Sequence, residues 1–418
     1  MRAFAQVRAI NTTLAQVRDE NDAPFTVGMI VTDDMPFLVD SVSGGLSIEG
    51  RSVRLIIHPQ LVVRRDTNGQ LLEILDLDVD EGRPAGAIAE SWMRIDMDRD
   101  YLNPDGQPSA NRLIQVLADV RAANNDWQKM RAKANEIAAE LDASPPVSLP
   151  LAEVVEGAEL LRWLTEDNLT FLGYREYSLA VIEGHEALVP VPGTGLGILR
   201  SEPTAGPESA RASKLPTAVR EKVRESRLLV LTKANSRSTV HRNVFLDYFG
   251  VKVFDEAGQV TGEKRFLGLL TAAALTESIV DVPVLRGRYQ QVMDELELVA
   301  GSHRAKDLLQ FLETYPRDEF FQTQTGELVE LSASVMQLQE RRQTRLFIRV
   351  DDYQRFVSCL VYLPRDRYTT AVRLRIERIL VDAFDGVSVD YTARVSESVL
   401  ARLHFVIRLA PGSEIGQL

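Results

Sequence analysis

Apolar runs separated by short turn-rich clusters dominate the beginning of the chain, and this pattern predicts paired β-strands. An apolar run that starts at Leu14 and a second one from Phe25 to Thr32 flank the cluster DENDAP, which is typical of a β-hairpin. The second run is β-branched and almost wholly apolar, so we expect it to be a buried central strand. Helical spacing follows at residues 37–50 and again at 109–142. Between these helices SVRLIIHPQLVVRRD is a second strand pair or one long strand, and LLEILDL and AESWMRIDMDRD are strand-like. The order β-β-α-β-β-α predicts a small sandwich of helices on one face of an antiparallel sheet.

A second region begins after ASPPVSLP, residues 143–150, which is the clearest linker in the chain. Strand-like runs recur between residues 151 and 281 and indicate a mixed α+β middle domain. The run RSEPTAGPESARASKLP inside that domain is rich in Pro, Ser and Ala, so we expect an exposed loop there. Residues 282–343 change to helical spacing.

Residues 344–418 repeat the pattern of the first unit, residues 1–142. The strand LFIRVD, a polar turn, the apolar strand FVSCLVYLP and a helix follow one another, and two more strands come after them. The second copy lacks the final helix of the first, so we expect it to be truncated and the chain to be a fragment. The fold class is therefore predicted to be multi-domain α+β.

The charge and the cysteine content limit the classes of partner and the compartment. The net charge is −12 and the pI is about 5.1, which argues against nucleic acid or an anionic membrane as the main partner. A single cysteine excludes an intrachain disulfide framework and is typical of a reducing compartment. Neither a membrane-spanning apolar run nor a secretory signal is recognisable in the sequence. We therefore expect a cytoplasmic protein without a membrane partner.

Charged residues mark the corner between strand and helix in both units. Asp33 and Asp34 precede Pro36 in the first unit, and Arg365 and Asp366 follow Pro364 in the second. A helix start favours anions, and an Asp just before Pro36 is a candidate cap. One carboxylate pair supplies only part of the oxygen shell that a divalent metal needs, so we expect no metal here.

Other candidate motifs have a structural interpretation that we prefer. The glycines of PGTGLGILR, residues 192–200, lack the end of a phosphate-binding motif, and a turn between strands is favoured. No two of the five histidines have metal-ligand spacing, and His58 and His404 are expected in strands. Cys359 lies in an apolar strand, which indicates an unreactive thiol.

Two further charged stretches have a preferred structural interpretation. TKANSRSTVHRN groups Lys233, Arg237, His241 and Arg242, which suits an anion site or a solvated hairpin face, and we favour the hairpin face. In ETYPRDEFF we expect a helix end, with local pairing of an arginine and an aspartate. No stretch brings together a nucleophile, a base and an oxyanion donor by spacing alone.

Long motifs along the chain resemble the N-terminal part of the large bacterial NAD-specific glutamate dehydrogenases. They are VTDDMPFLVDSV, TEDNLTFLGYREY, GLGILR, LVLTKANSRSTVHR, LDYFGVKVFDEAG, ETYPRDEFFQ, RFVSCLVYLPRDRYTT and SESVLARLHFVIR. They occur in order from about residue 14 to residue 409, so the resemblance covers nearly the whole chain.

The resemblance implies a series of ACT-type regulatory domains, with the catalytic dehydrogenase domain further along the chain. The segment itself is then non-catalytic and holds no cofactor, whereas the parent enzyme uses NAD to convert L-glutamate to 2-oxoglutarate and ammonium. The implied partners are a second copy that associates through the ACT-type units, the absent catalytic region and an amino-acid effector. The alternative is a purely structural assembly module that binds no small ligand.

In ACT-type domains the loop between strand and helix meets the charged groups of the ligand. Carried onto this sequence, the resemblance makes both corners candidate effector sites. The candidates are Asp33, Asp34, Met35, Pro36, Phe37, Asp40 and Ser41 in the first unit, and Arg365, Asp366 and Arg367 in the second.

Overall fold

The fold is known from a computed structural model. It describes residues 11–18, 24–48, 50–80, 82–98, 109–182, 185–201, 213–214, 223–338, 341–395 and 398–410. The turn predicted at DENDAP and most of the loop RSEPTAGPESARASKLP lie outside these residues. Among the described helices, none is long and apolar enough to cross a membrane.

The first unit is an antiparallel sheet with helices on one face, as the sequence predicts. Its strands are β1 (Asn11–Arg18), β2 (Pro24–Asp33), β3 (Val53–Ile57), β4 (Gln60–Arg65), β5 (Leu71–Leu75) and β6 (Ala87–Asp98). The order is β1-β2-β6-β4-β5, with β3 also pairing β6. The predicted hairpin is confirmed by the antiparallel pairing of β1 with β2.

The described residues between the helices α1 (Leu38–Ile48) and α2 (Ser109–Ala143) form four strands, whereas the summary order β-β-α-β-β-α counts two. LLEILDL and AESWMRIDMDRD form strands as predicted, and SVRLIIHPQLVVRRD, left open as a strand pair or one long strand, forms β3 and β4. His58 was expected in a strand, but it lies in the connection between β3 and β4. Pro59 follows it and has no N–H to donate to a ladder, so the strand pairing is interrupted here, although β3 and β4 continue in the same direction along β6.

Helix α2 connects the first unit to the middle domain. It has 35 residues and is therefore about 50 Å long. Val116 and Val120 near its beginning pack in one core with α1, with the first sheet and with Leu246 of the middle domain. Ala134 and Ile137 near its end belong to a second core, which the middle domain shares with the helical segment.

The middle domain is a second antiparallel sheet, preceded by α3 (Leu151–Trp163). Its order is β10-β8-β7-β13-β12-β11, and β9 pairs β7. The strands are β7 (Leu169–Ile182), β8 (His185–Pro190), β9 (Leu196–Gly197), β10 (Ser213–Lys214), β11 (Leu229–Arg237), β12 (Phe245–Phe254) and β13 (Val260–Leu270).

Helices then lead to the second unit. They are α4 (Ala272–Thr276), α5 (Leu285–Glu295), α6 (His303–Thr314), α7 (Arg317–Gln322) and α8 (Thr325–Leu338). The second unit is a sheet of order β14-β15-β17-β16 that carries one helix. It consists of β14 (Arg345–Val350), β15 (Phe356–Pro364), α9 (Thr370–Phe384), β16 (Ser388–Arg394) and β17 (Leu400–Arg408).

Both faces of the second sheet are covered, which explains why FVSCLVYLP is apolar throughout. Successive side chains of a strand point to opposite faces. Val357 and Cys359 pack with Leu380 of α9 in a small core. Leu360 and Tyr362 point the other way and join the core of the helical segment. The described structure is thus a multi-domain α+β protein, as predicted.

Candidate ligand site

The corner of the first unit is hydrogen-bonded to neighbouring strands. Both carboxylate oxygens of Asp34 accept from Gln60 Nε2 at 3.0 Å, and Oδ1 also accepts from Ser91 Oγ at 2.6 Å. His58 Nε2 lies 2.8 Å from the same hydroxyl. The expectation that Asp34 caps the following helix is wrong, because these strand side chains are the partners of its carboxylate. Asp33 instead lies 3.3 Å from Arg121 of α2.

The start of α1 meets a loop of the middle domain. The ring of Phe37 lies 4.8 Å from that of His241, and Asp40 Oδ2 lies 3.1 Å from His241 Nδ1. The backbone N–H of His241 donates to Ser41 Oγ at 2.8 Å. Met35 packs at the edge of the core beneath. The structure therefore brings the predicted residues together, and most of them contact other protein groups, while Asp33, Pro36 and Asp40 remain exposed.

The backbone of this corner also forms a hydrogen bond, at Pro36. Its carbonyl accepts from Asn124 Nδ2 of α2 at 3.2 Å. The corner is thus attached to α2 as well as to the loop that contains His241. The role of these residues in binding an effector stays a prediction.

The corner of the second unit is more open. Residues 365–367 form one short 3-10 turn, and all three side chains are exposed. Asp366 lies 3.9 Å from Arg342 in a solvent-exposed pair. The following helix starts at Thr370 and is capped by Thr369, whose Oγ1 accepts from Val372 N at 3.2 Å. An effector role for Arg365, Asp366 and Arg367 also stays a prediction.

A cavity of about 500 Å³ lies between the second unit, the middle domain and α7. Its floor is the face of the second sheet that points away from α9. Every second residue of β17 faces the cavity, and so do Asp390 and Thr392 of β16. The cavity is lined by Lys233, Arg237, Arg242, Phe245, Asp247, Asp318, Glu319, Phe356, Asp390, Thr392, Arg402, His404, Val406 and Arg408, among others.

Several charges of the cavity are already paired. Lys233 Nζ lies 2.6 Å from Asp247 and 3.6 Å from Asp318. Burial by itself lowers the pKa of Lys233, but these two carboxylates outweigh it and raise the pKa above its ordinary value. Arg237 pairs with Asp390 across the interface. The preferred interpretation of TKANSRSTVHRN as a solvated hairpin face is therefore wrong for Lys233 and Arg237.

Arg408 is the exceptional side chain of this cavity. Only 6% of its surface is exposed, and its buried Nε and Nη1 have no hydrogen-bond partner within the described part of the chain. Its guanidinium lies over two rings, at 3.6 Å from the centroid of Phe245 and 4.7 Å from that of Phe356. Burial, together with the nearby charges of Arg355 and Arg237, lowers its pKa to about 10.

The local pair expected in ETYPRDEFF is not formed. Asp318 faces Lys233 instead, and Arg317 donates to the carbonyl of Glu277 at 2.5 Å. His404 lies in β17 as expected, with Nε2 at 2.9 Å from Ser358 Oγ.

The glycine-rich stretch is a turn between strands, as predicted, and a carboxylate of the protein fills it. Asp126 of α2 has no exposed side-chain surface, and its Oδ2 accepts from Gly197 N at 3.0 Å. Arg200 Nε donates to the same oxygen at 2.9 Å. Burial opposes ionisation, but the hydrogen bonds from Gly197, Lys129 and Arg200 lower the pKa of Asp126.

The last two candidate features are the thiol of Cys359 and a metal site. The thiol of Cys359 is fully buried, and burial raises its pKa to about 12. Within the described ranges, no three His, Cys, Asp or Glu side chains are grouped to hold a metal ion.

The fold described above defines the class of the protein. It is a multi-domain α+β protein in which two units of hairpin, helix and strands flank a middle sheet and a helical segment. The chain matches three family models of glutamate dehydrogenase. They are the ACT1 domain at residues 2–105, helical motif 1 at residues 282–341 and the ACT2 domain at residues 345–417. The chain belongs to the NAD-specific glutamate dehydrogenase family and corresponds to the N-terminal part of its members.

Bacterial relatives match along almost the whole chain. NAD-specific glutamate dehydrogenase of Halomonas elongata is 37% identical over 91% of this chain, and that of Pseudomonas aeruginosa is 35% identical over 92%. The Mycobacterium tuberculosis enzyme of the same name is 32% identical over 95% of the chain. The matched regions are 23%, 24% and 23% of these three relatives, so the chain spans about a quarter of their length.

Proposed function

We propose that this chain is a non-catalytic regulatory and assembly segment of an NAD-specific glutamate dehydrogenase, and that it senses an amino-acid effector. The parent enzyme oxidises L-glutamate, with NAD and water, to 2-oxoglutarate, ammonium and NADH. In this proposal NAD binds to a catalytic region elsewhere in the parent, and the enzyme works in the cytoplasm as a homo-oligomer.

The observation that carries the proposal is the cavity between the second unit and the middle domain. Its lining comes from β11 and β12, from α7 and from the sheet of the second unit. A ligand shifts a conformational equilibrium only as far as it binds one state better than the other. A ligand that contacts elements of several domains at once has that property, because any movement between these elements changes its contacts.

The corners stay a second candidate for the effector. Arg365 and Arg367 are exposed and have the charge that an α-carboxylate requires. At the first corner the protein groups around Asp34 and Ser41 have to be displaced or shared by a ligand.

An assembly role is supported by a separate observation. The face of the first sheet opposite the helices exposes large apolar side chains. The pairing register places Met29 and Ile57 on either side of Arg94 on this face. The exposed apolar residues are Met29, Leu55, Ile57, Leu72 and Ile74. Exposed apolar patches mark interaction surfaces, and we propose a second copy of the chain as the partner.

Thermal unfolding of the 418-residue chain against a panel of amino acids, 2-oxoglutarate and NAD tests the sensing function. A ligand at 100 times its dissociation constant adds about 2.7 kcal/mol to the free energy of unfolding. Stabilisation by an amino acid supports the sensor. Stabilisation by NAD contradicts the proposal that the nucleotide binds elsewhere, and a panel without any response favours the purely structural module.

Sedimentation velocity of the Ile57→Arg variant tests the assembly function. If the apolar face joins two copies, a charge at Ile57 dissociates them. Ile379→Arg is the matched control, since Ile379 is similarly exposed but lies on α9 of the second unit. Equal dissociation of both variants, or of neither, contradicts a role for this face.

A further inference from the structure

We propose that the cavity at the end of β17 binds a small organic carboxylate, and that the guanidinium of Arg408 is its cationic partner. This inference deepens the proposed function, because it names the site and the class of ligand. It does not depend on the effector being an amino acid.

The first step is the missing partner of Arg408. A buried charge normally has a counter-ion and hydrogen bonds, since an uncompensated one is costly. Among the described residues, Arg408 Nε and Nη1 are buried and have no acceptor. The other basic groups of the cavity differ: Lys233 and Arg237 pair with carboxylates, and Arg242 donates to the carbonyl of Leu270 at 2.6 Å. The cavity thus has one cationic group whose buried donors are unused.

The second step is the aromatic environment of the guanidinium. The centroids of the Phe245 and Phe356 rings lie 3.6 and 4.7 Å from its central carbon. Such rings attract the positive charge, but they do not replace an oxygen acceptor for the N–H groups. A carboxylate provides that acceptor, and its hydrogen bonds with a guanidinium are charge-assisted and therefore strong.

The third step is the balance of charge around the site. The lining has five basic side chains, namely Lys233, Arg237, Arg242, Arg402 and Arg408, and four carboxylates. One of those carboxylates, Glu319, accepts from Arg349 Nη2 at 2.8 Å, outside the lining. Arg402 donates to the hydroxyl and carbonyl of Thr314. The cavity therefore has a positive excess, and a small anion neutralises it.

The fourth step is size. A cavity of about 500 Å³ lies in the usual range for small-molecule sites, so it accepts a small metabolite. Amino acids and 2-oxo acids share the required carboxylate. The carboxylates of the lining, Asp390 among them, offer an acceptor for the ammonium group of the former, whereas the latter have none.

Calorimetric titration of the 418-residue chain tests the inference, with L-glutamate, 2-oxoglutarate and sodium sulfate as separate probes. The variants are Arg408→Met, which removes the charge and keeps an unbranched apolar stem, and Arg408→Lys, which keeps the charge and loses the planar guanidinium. Arg64→Met is the control, because Arg64 is an exposed arginine paired with Glu73 on the first unit.

We expect a carboxylate to bind wild type and Arg64→Met equally, and to bind Arg408→Met at least tenfold more weakly. Arg408→Lys is expected to lie between them. Because the substitution by Met removes an unpaired buried charge, ligand-free Arg408→Met is expected to melt no lower than wild type. A lower melting temperature with unchanged carboxylate affinity assigns Arg408 a structural role and overturns the inference.

The outcomes separate this inference from the proposed function. If L-glutamate binds wild type and Arg408→Met equally well, the sensor stands and this site is wrong. If 2-oxoglutarate alone binds and requires Arg408, the site stands and amino-acid sensing fails. Binding of sulfate without either carboxylate, or of no probe at all, overturns the inference.

Discussion

The guanidinium of Arg408 lies 3.6 Å from the ring centroid of Phe245, so the last strand of the second unit touches the first residue of a middle-domain strand. This contact connects two domains through a cation that forms no salt bridge with the residues that the structure describes. A ligand that pairs with Arg408 strengthens the same junction. The contact thereby links occupancy of the cavity to the arrangement of the two domains.

Gly197 is predicted to tolerate no side chain. Its φ is +60°, and an added Cβ would lie 2.1 Å from the carbonyl oxygen of Leu172. Gly193, in the turn before β9, has a φ of +77° but open space around it. Gly193→Ala therefore costs only the backbone strain, about 1 kcal/mol, whereas Gly197→Ala costs several times more. Urea denaturation of both variants measures the difference, and equal losses contradict the close approach.

The carboxylate of Asp126 is predicted to stabilise the glycine turn in a pH-dependent way. Asp126→Asn removes the charge that Gly197 and Arg200 bond, and we expect it to lower the free energy of unfolding by about 2 kcal/mol at pH 7. The folded-state pKa of Asp126 is lowered, so its contribution is present above the unfolded pKa of about 3.9.

That contribution is lost as the pH falls through the folded pKa. Wild type and Asp126→Asn should therefore converge in stability below about pH 4, which denaturation at several pH values measures. A difference that stays constant from pH 7 to pH 3 contradicts the ionic part of this account.

His241 is predicted to hold the first corner in place. Its backbone has a φ of +64°, which Asn tolerates well, so His241→Asn removes the ring while keeping the loop. Loss of the contacts with Phe37 and Asp40 is expected to cost about 1 kcal/mol and to speed hydrogen exchange at the start of α1. His303→Asn, on an exposed helix start, should change neither; identical exchange in both variants contradicts the role of His241.

The thiol of Cys359 is predicted to be unreactive in the folded chain. It is fully buried, and its raised pKa of about 12 leaves almost no thiolate at pH 8. A disulfide reagent at pH 8 should therefore modify Cys359 only after denaturation. Rapid modification of the native chain contradicts the packing of β15.

Local sequence patterns predict much of this fold, because the apolar residues of these patterns are the ones that the fold buries. The hairpin of β1 and β2 follows from two apolar runs around a turn cluster, and the apolar β15 follows from burial on both faces. The break at His58 and Pro59 divides a run that looks continuous in apolar content, which is why the sequence alone leaves a strand pair and one long strand both open there. Asp34 looks like a cap in the sequence, but its partners Gln60 and Ser91 are distant along the chain.

The residues that line the cavity are harder to predict from the sequence. Its basic and acidic groups come from residues such as Arg237, Asp318 and Asp390, which only tertiary packing brings together. One signal is present in ARLHFVIR. Arg402, His404 and Arg408 stand at even spacing along one strand, with apolar residues between them, so this face of β17 is polar although the strand is buried. A buried strand with a basic face predicts a partner for that face.

Hydrogen exchange of the 418-residue chain, with and without the carboxylate that stabilises it most, tests the central claim most directly. We predict that the ligand slows exchange at the end of β17, at the start of β12 around Phe245 and at the start of β15 around Phe356. Protection at residues 33–41 or 365–367 instead would place the effector at a corner. That result, or the absence of any protection, contradicts the claim that the site lies at Arg408.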